Sequence, residues 1–163
     1  MGSRARILPR ERNVFDSMAS MTRREAREEV FYLLFESEFQ RDKTPAEIFE
    51  LAEQARDLSE RASAKQAAYI QRAYFGVCEK KEALDEVIAK HSNGWRPDRI
   101  APVSRSILRL CIYEMKDEED VPVTVAINEA IELTKKFDDP KAKSFVNGIL
   151  NGVKNELEAE TKE

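Results

Sequence analysis

Reactive side chains are few in this chain, and their spacing limits what chemistry they can do. The single histidine, His91, and the two cysteines, Cys78 and Cys111, are too scattered to make a metal-ligand set. Neither cysteine belongs to a CxxC pair. Both sit among apolar residues and read as small core fillers in a reducing compartment. The sequence has no phosphate-binding GxxxxGK[ST], no GxGxxG and no Ser/His/Asp set. No catalytic residue, metal or cofactor is expected, and His91, in a helix-ending turn, reads as structural. Glu114 lies inside an apolar stripe with no second titratable group beside it, which argues against an acid–base pair. A carboxylate buried there requires an arginine or backbone N–H groups against it.

What remains is the chemistry of charge and of rings. Residues 1–27 carry seven arginines (Arg4, Arg6, Arg10, Arg12, Arg23, Arg24 and Arg27) against Glu11, Asp16 and Glu25. That end is therefore +4 in a chain of net charge −4, which leaves −8 on the body. A basic end on an acidic body suits an anionic partner such as nucleic acid; a tail that is merely basic fits the same charges. Towards the other end, Phe145 falls about 100° from the centre of its helix's apolar stripe, beside Lys141, Gly148 and Gly152. A ring in that position can stack on a base. Equally, the two glycines can admit a neighbouring helix that covers it.

These groups need a scaffold. With 163 residues, 42% hydrophobic and 36% charged, and only five glycines, the chain suits one all-α domain with solvated outer faces. Residues 1–20 lack periodicity and read as a disordered basic tail or an expression remnant, so the domain is expected over 21–160. From Arg23 the pattern is helical. Ala26, Val30, Leu33 and Leu34 share one face, and Tyr32, Phe35 and Phe39 the opposite one. Such a helix is either sandwiched between two layers or offers its aromatic face to a partner protein. Thr44-Pro45 starts a second helix, expected to reach about Leu58. Ser63 or a neighbour opens a third carrying Tyr69, Ile70, Tyr74 and Val77. A fourth, Lys80 to Lys90, turns Leu84, Val87 and Ile88 to one side and stops at His91-Ser92-Asn93-Gly94.

After a loop containing Pro97 and Pro102, Val103 to Met115 has the widest apolar stripe and reads as the central helix, with Arg105 and Arg109 marking its outer side. Pro122 opens the next helix, whose stripe is Val123, Ala126, Ile127, Ala130, Leu133 and Phe137. Glu132 is spaced to pair with Lys136, and Asn128 is placed to bond a neighbouring loop. The last helix, about Lys141 to Glu158, buries Val146, Ile149, Leu150, Val153 and Leu157. No apolar run is long enough to cross a membrane, and a cytoplasmic location is expected.

The segments Arg105-Ser106-Ile107-Leu108-Arg109-Leu110, Tyr113-Glu114, VPVTVAINEAIELTKKF and Phe145-Val146-Asn147-Gly148-Ile149-Leu150 together resemble the NusB family of bacterial transcription antitermination factors. Arg23-Arg24-Glu25-Ala26-Arg27-Glu28 is similar to that family's basic first helix, although Glu25 stands where a further basic residue is common. The resemblance spans about Arg23 to Leu157. It implies about seven helices in two subdomains. It also implies binding to boxA RNA of ribosomal RNA leaders, together with NusE, a small-subunit ribosomal protein, within the RNA polymerase antitermination complex.

By the same resemblance, Arg23, Arg24 and Arg27 match phosphate-contacting positions. Phe137 and Phe145 match aromatics near the RNA surface, with Lys136 and Lys143 in their neighbourhood; by helix position Phe145 is the exposed ring, whereas Phe137 lies in its helix's stripe and is a candidate for the core. Tyr32, Phe35 and Phe39 supply the face for NusE, and Ser104 aligns with a contact position of different type. A homodimer over overlapping surfaces is a further implied state. A NusB-like domain also occurs fused to ribosomal RNA cytosine methyltransferases, but no catalytic segment of that kind is read here.

Overall fold

The computed structural model describes residues 20–162. The tail expected over 1–20 lies outside them apart from Ser20. Among the described residues there are eight α-helices and one 3-10 turn: α1 (Arg23–Phe39), α2 (Pro45–Arg56), α3 (Leu58–Arg61), α4 (Ala64–Glu79), α5 (Lys81–His91), the 3-10 turn Pro97–Arg99, α6 (Pro102–Asp117), α7 (Val123–Phe137) and α8 (Ala142–Thr161).

The boundaries follow from local chemistry. Thr22 and Glu25 form a reciprocal capping box at the start of α1, and Thr44 and Glu47 form another at α2, where Pro45 takes the first turn. The Ser63 hydroxyl accepts the Gln66 N–H and starts α4. Asp57, at φ +50°, breaks the segment expected to be continuous to Leu58, so the one-turn α3 follows as an eighth helix. Asn93 (φ +52°) and Gly94 (φ +87°) turn the chain after α5.

α6 is the axis of the fold, packing against α1, α4, α5, α7 and α8. Every residue from Ser104 to Met115 is buried, so no side of α6 faces water over that length. The core around it is continuous, with Tyr69 and Tyr74 of α4, Leu33 of α1, Ile88 of α5 and Leu150 of α8 among its largest members. Gly76 makes part of this possible: a Cβ there would lie 2.5 Å from the Tyr113 ring, so only glycine lets α4 and α6 approach so closely.

Burial of a whole helix surface brings charges inward. Arg105 and Arg109, expected on an outer side, are both buried. The Arg105 Nε and Nη2 donate to the two Glu38 oxygens at 3.0 and 2.7 Å, and its Nη1 donates to the carbonyls of Pro97 and Ile100. Arg109 donates to Glu38 at 2.9 Å and, in a fork, to Asp85 at 2.7 and 2.9 Å. One cluster of two arginines and two carboxylates thus ties α1, α5, the 3-10 turn and α6 together. Burial alone would raise the Glu38 pKa, but the hydrogen bonds and charge of Arg105 outweigh it and lower it.

Candidate nucleic-acid interface

The three arginines of α1 meet three different fates. Arg23 lies over the Tyr69 ring, 4.0 Å from its centroid, and its Nε donates to Gln66 at 2.7 Å. Tyr69 is buried, and burial followed by the Glu114 charge pushes its pKa up, so it stays neutral under the cation. Arg24 points outward and makes a forked pair with Glu129 of α7 (3.0 and 3.1 Å).

Arg27 goes inward. Its Nε and Nη2 donate to the two Glu114 oxygens at 2.8 and 2.9 Å, with side-chain exposures of only 5% and 2%. Burial would lower the Arg27 pKa, but the two hydrogen bonds and charge of Glu114 more than offset this and raise it. The arginine required by Glu114 is therefore Arg27: with its Nε and Nη2 committed to Glu114 and its side chain only 5% exposed, it sits in a buried ion pair and not on the open surface where a phosphate contact was expected.

Between α1 and α7 runs a groove of about 320 Å³ lined by four cations (Arg24, Arg27, Lys135, Lys136) and three carboxylates (Glu28, Glu129, Glu132). Lys136 pairs with Glu28, whose hydrogen bond raises the lysine pKa. The expected pairing of Lys136 with Glu132 is not made; Glu132 sits 3.5 Å from Lys135 instead. Contacts progress in the same direction along both helices, from Arg24–Glu129 through Glu28–Lys136 to Phe31–Phe137.

Phe137 lies next to the groove lining, with the Lys136 ammonium 5.5 Å from its ring centroid. Its ring stacks on Phe31 at 4.8 Å and meets Tyr32 edge-on at 5.3 Å. It is half-buried, as is Phe145 on α8. Lys143 is exposed. Beside Phe145, Gly148 opens to solvent with nothing within 4 Å of a Cβ placed there, whereas Gly152 faces His91, whose Nδ1 would lie 2.7 Å from such a Cβ. Of the two glycines, only Gly152 admits a neighbour.

The aromatic face of α1 continues from this point. Phe31 stacks on Phe35 at 5.9 Å, and Phe35 meets Phe39 edge-on at 5.0 Å. Tyr32 and Phe35 are half-buried, while Phe39 is 65% exposed. The ring surface read as a partner face is thus physically continuous with Phe137. Ser104 is not part of it. Ser104 is buried and donates to Asp138 at 2.5 Å, which anchors the α7–α8 corner to the start of α6; as a contact residue it is corrected to a positioning one. Asn128 is exposed and bonds no neighbouring loop among the described residues.

Sequence reasoning missed Glu129, Glu28, Lys135 and Phe31. The acids pair with cations roughly a hundred positions away, which no local spacing reveals. Phe31 lies within the run Val-Phe-Tyr-Leu-Leu-Phe, between the two faces assigned to α1. His91 bonds Glu156 of α8 at 2.6 Å and holds helices together.

The model of the NusB family matches residues 24–155. The chain is 44% identical over 138 residues to the transcription antitermination protein NusB of Bacillus pumilus, covering 84% of this chain and 98% of that protein. A NusB structure from T. maritima superposes with TM-score 0.75 at 34% identity, covering 82% of this chain and 91% of that one. A crystal structure of the antitermination factors NusB and NusE in complex with double-stranded RNA gives TM-score 0.71 at 25% identity, covering 80% of this chain and 94% of the other. The matched span runs from the first helix into the last, and on that footing the chain belongs to the NusB family.

Proposed function

We propose that this chain is a transcription antitermination factor that binds boxA RNA of ribosomal RNA leaders together with NusE, and so helps RNA polymerase resist termination in the cytoplasm. The observation that carries this reading is the α1–α7 groove, where exposed Arg24 and Lys136 stand beside the half-buried Phe137 on a NusB fold. Phosphate contacts position an RNA without reading its sequence, and bases of any identity stack on aromatic rings. Arg23, Arg24, Lys136 and Lys143 are assigned to phosphates, and Phe145 and Phe137 to bases. The related complex that contains NusE and RNA supports both partners. NusE is assigned to the aromatic face of Tyr32, Phe35 and Phe39.

Fluorescence anisotropy with boxA RNA and a scrambled control, with and without NusE and at two salt concentrations, tests the reading. Tighter boxA binding that NusE strengthens is expected. Equal binding to both RNAs with no NusE effect would overturn it. Exposed Phe39 favours a second reading, a homodimer over the same face. Sedimentation of the chain alone, against Phe39→Ser, distinguishes it.

A further inference from the structure

Two of the cations assigned to RNA are already paired with acids. Arg24 is forked onto Glu129, and Lys136 is bonded to Glu28. In both pairs the carboxylate is the sheltered member: Glu129 is 16% exposed against 60% for Arg24, and Glu28 15% against 58% for Lys136. Glu129 is further held by Arg27, whose Nη1 lies 3.8 Å away. Glu129 is thus held from behind and does not swing freely into solvent as a phosphate arrives, while Glu28 is kept in place by its low exposure.

Each cation nevertheless keeps free donors. A guanidinium has five N–H groups, and Glu129 engages only the Nε and one side of Nη2. An ammonium has three, of which Glu28 takes one. A phosphate can therefore bond to Arg24 or Lys136 end-on while the carboxylate stays in place. What it loses is the long-range attraction, since at a distance each pair is neutral.

From this we propose that Glu129 and Glu28 are specificity-determining residues of the RNA surface. They cancel the attraction that any polyanion would feel, and leave short-range donors that reward only an RNA whose phosphates are delivered to the right places. The inference rests on the RNA reading of the groove.

Counterion release makes it measurable. Freeing one cation should steepen the slope of log affinity against log salt by roughly 0.7 for a single strand, which amounts to roughly fivefold tighter binding near 0.1 M salt. We expect Glu129→Gln to show this gain with scrambled RNA and a smaller one with boxA RNA, so the ratio between them falls. Glu50→Gln removes the same charge from an exposed position on α2, outside the groove lining, and should leave slope and ratio near those of the parent. The double variant Arg24→Ala/Glu129→Gln should lose the gain. Circular dichroism of each variant reports whether the helices are intact.

An unchanged slope and ratio in helical Glu129→Gln would overturn the proposal, as would an equal gain from Glu50→Gln or a gain that survives without Arg24. If the parent binds both RNAs equally, the boxA reading falls; a steeper slope in Glu129→Gln that requires Arg24 would still support the masking role of the acid.

Discussion

Replacing Arg27 by methionine separates its two assigned roles, phosphate contact and core ion pair. The substitution keeps an unbranched side chain but removes both hydrogen bonds to Glu114, at 2.8 and 2.9 Å. The carboxylate left behind is 2% exposed, so bulk solvent does not reach it to replace those bonds. Breaking one side of a buried pair typically costs about 3–5 kcal/mol. That is a large share of the roughly 5–15 kcal/mol by which a domain is stable. At about 3 °C per kcal/mol for a chain of this size, Tm should fall by roughly 10–15 °C. The cost comes from the orphaned carboxylate more than from the lost attraction, so Arg27→Met/Glu114→Leu should recover most of the loss. Urea unfolding followed by circular dichroism measures all three proteins. RNA binding by Arg27→Met, under conditions where it is folded, should keep the parent's salt slope, whereas Arg24→Ala should flatten it. A stability within about 1 kcal/mol of the parent, together with a flattened slope in Arg27→Met, would refute the buried assignment.

Three further outcomes follow from the same geometry. Gly148→Ala should stabilise α8 by roughly 0.5–1 kcal/mol, because nothing stands within 4 Å of the new Cβ, while Gly152→Ala should lower Tm by pressing on His91. Thermal unfolding of the two variants reads the opposite signs. The Glu156 carboxyl is held down to about 2 by its hydrogen bond from Lys90 and then by that with His91. A depressed folded pKa stabilises above the ordinary carboxylate value and is lost as pH falls, so the Tm gap between the parent and Glu156→Gln should close between about pH 4.5 and 2. Phe39→Ala should weaken NusE binding and leave Tm almost unchanged, since the ring is mostly exposed; a large drop in Tm would make Phe39 a folding residue instead.

Helix ends were legible because they depend on neighbours in sequence. Thr44-Pro45, Ser63 and Asn93-Gly94 stand where the structure starts or stops helices. The core stripes of α4 to α8 were legible for the same reason: a fixed helical period places residues on faces. The demand of Glu114 for a cation followed from its place in an apolar stripe. Which cation it is did not follow, because Arg27 lies 87 residues away. Arg105 and Arg109 misled in the same way, since charge reads as outward until Glu38, 67 and 71 residues back, neutralises it inside. Lys136 had an acid at ideal local spacing and took a more distant one. Periodicity assigns faces, but only the packing of helices decides which charges are enclosed together, and the character of the groove depends on that choice.

Phe137 touches both Phe31 and Tyr32 while lying next to Lys136, so one ring borders the RNA groove and the protein-facing column at once. Under the proposed function, any shift of that ring enters two binding equilibria. Linkage then requires the books to balance around a closed cycle: the factor by which NusE tightens boxA RNA must equal the factor by which boxA RNA tightens NusE. The two partners would act as effectors of each other, and the assembly would reach the same affinity whichever arrived first.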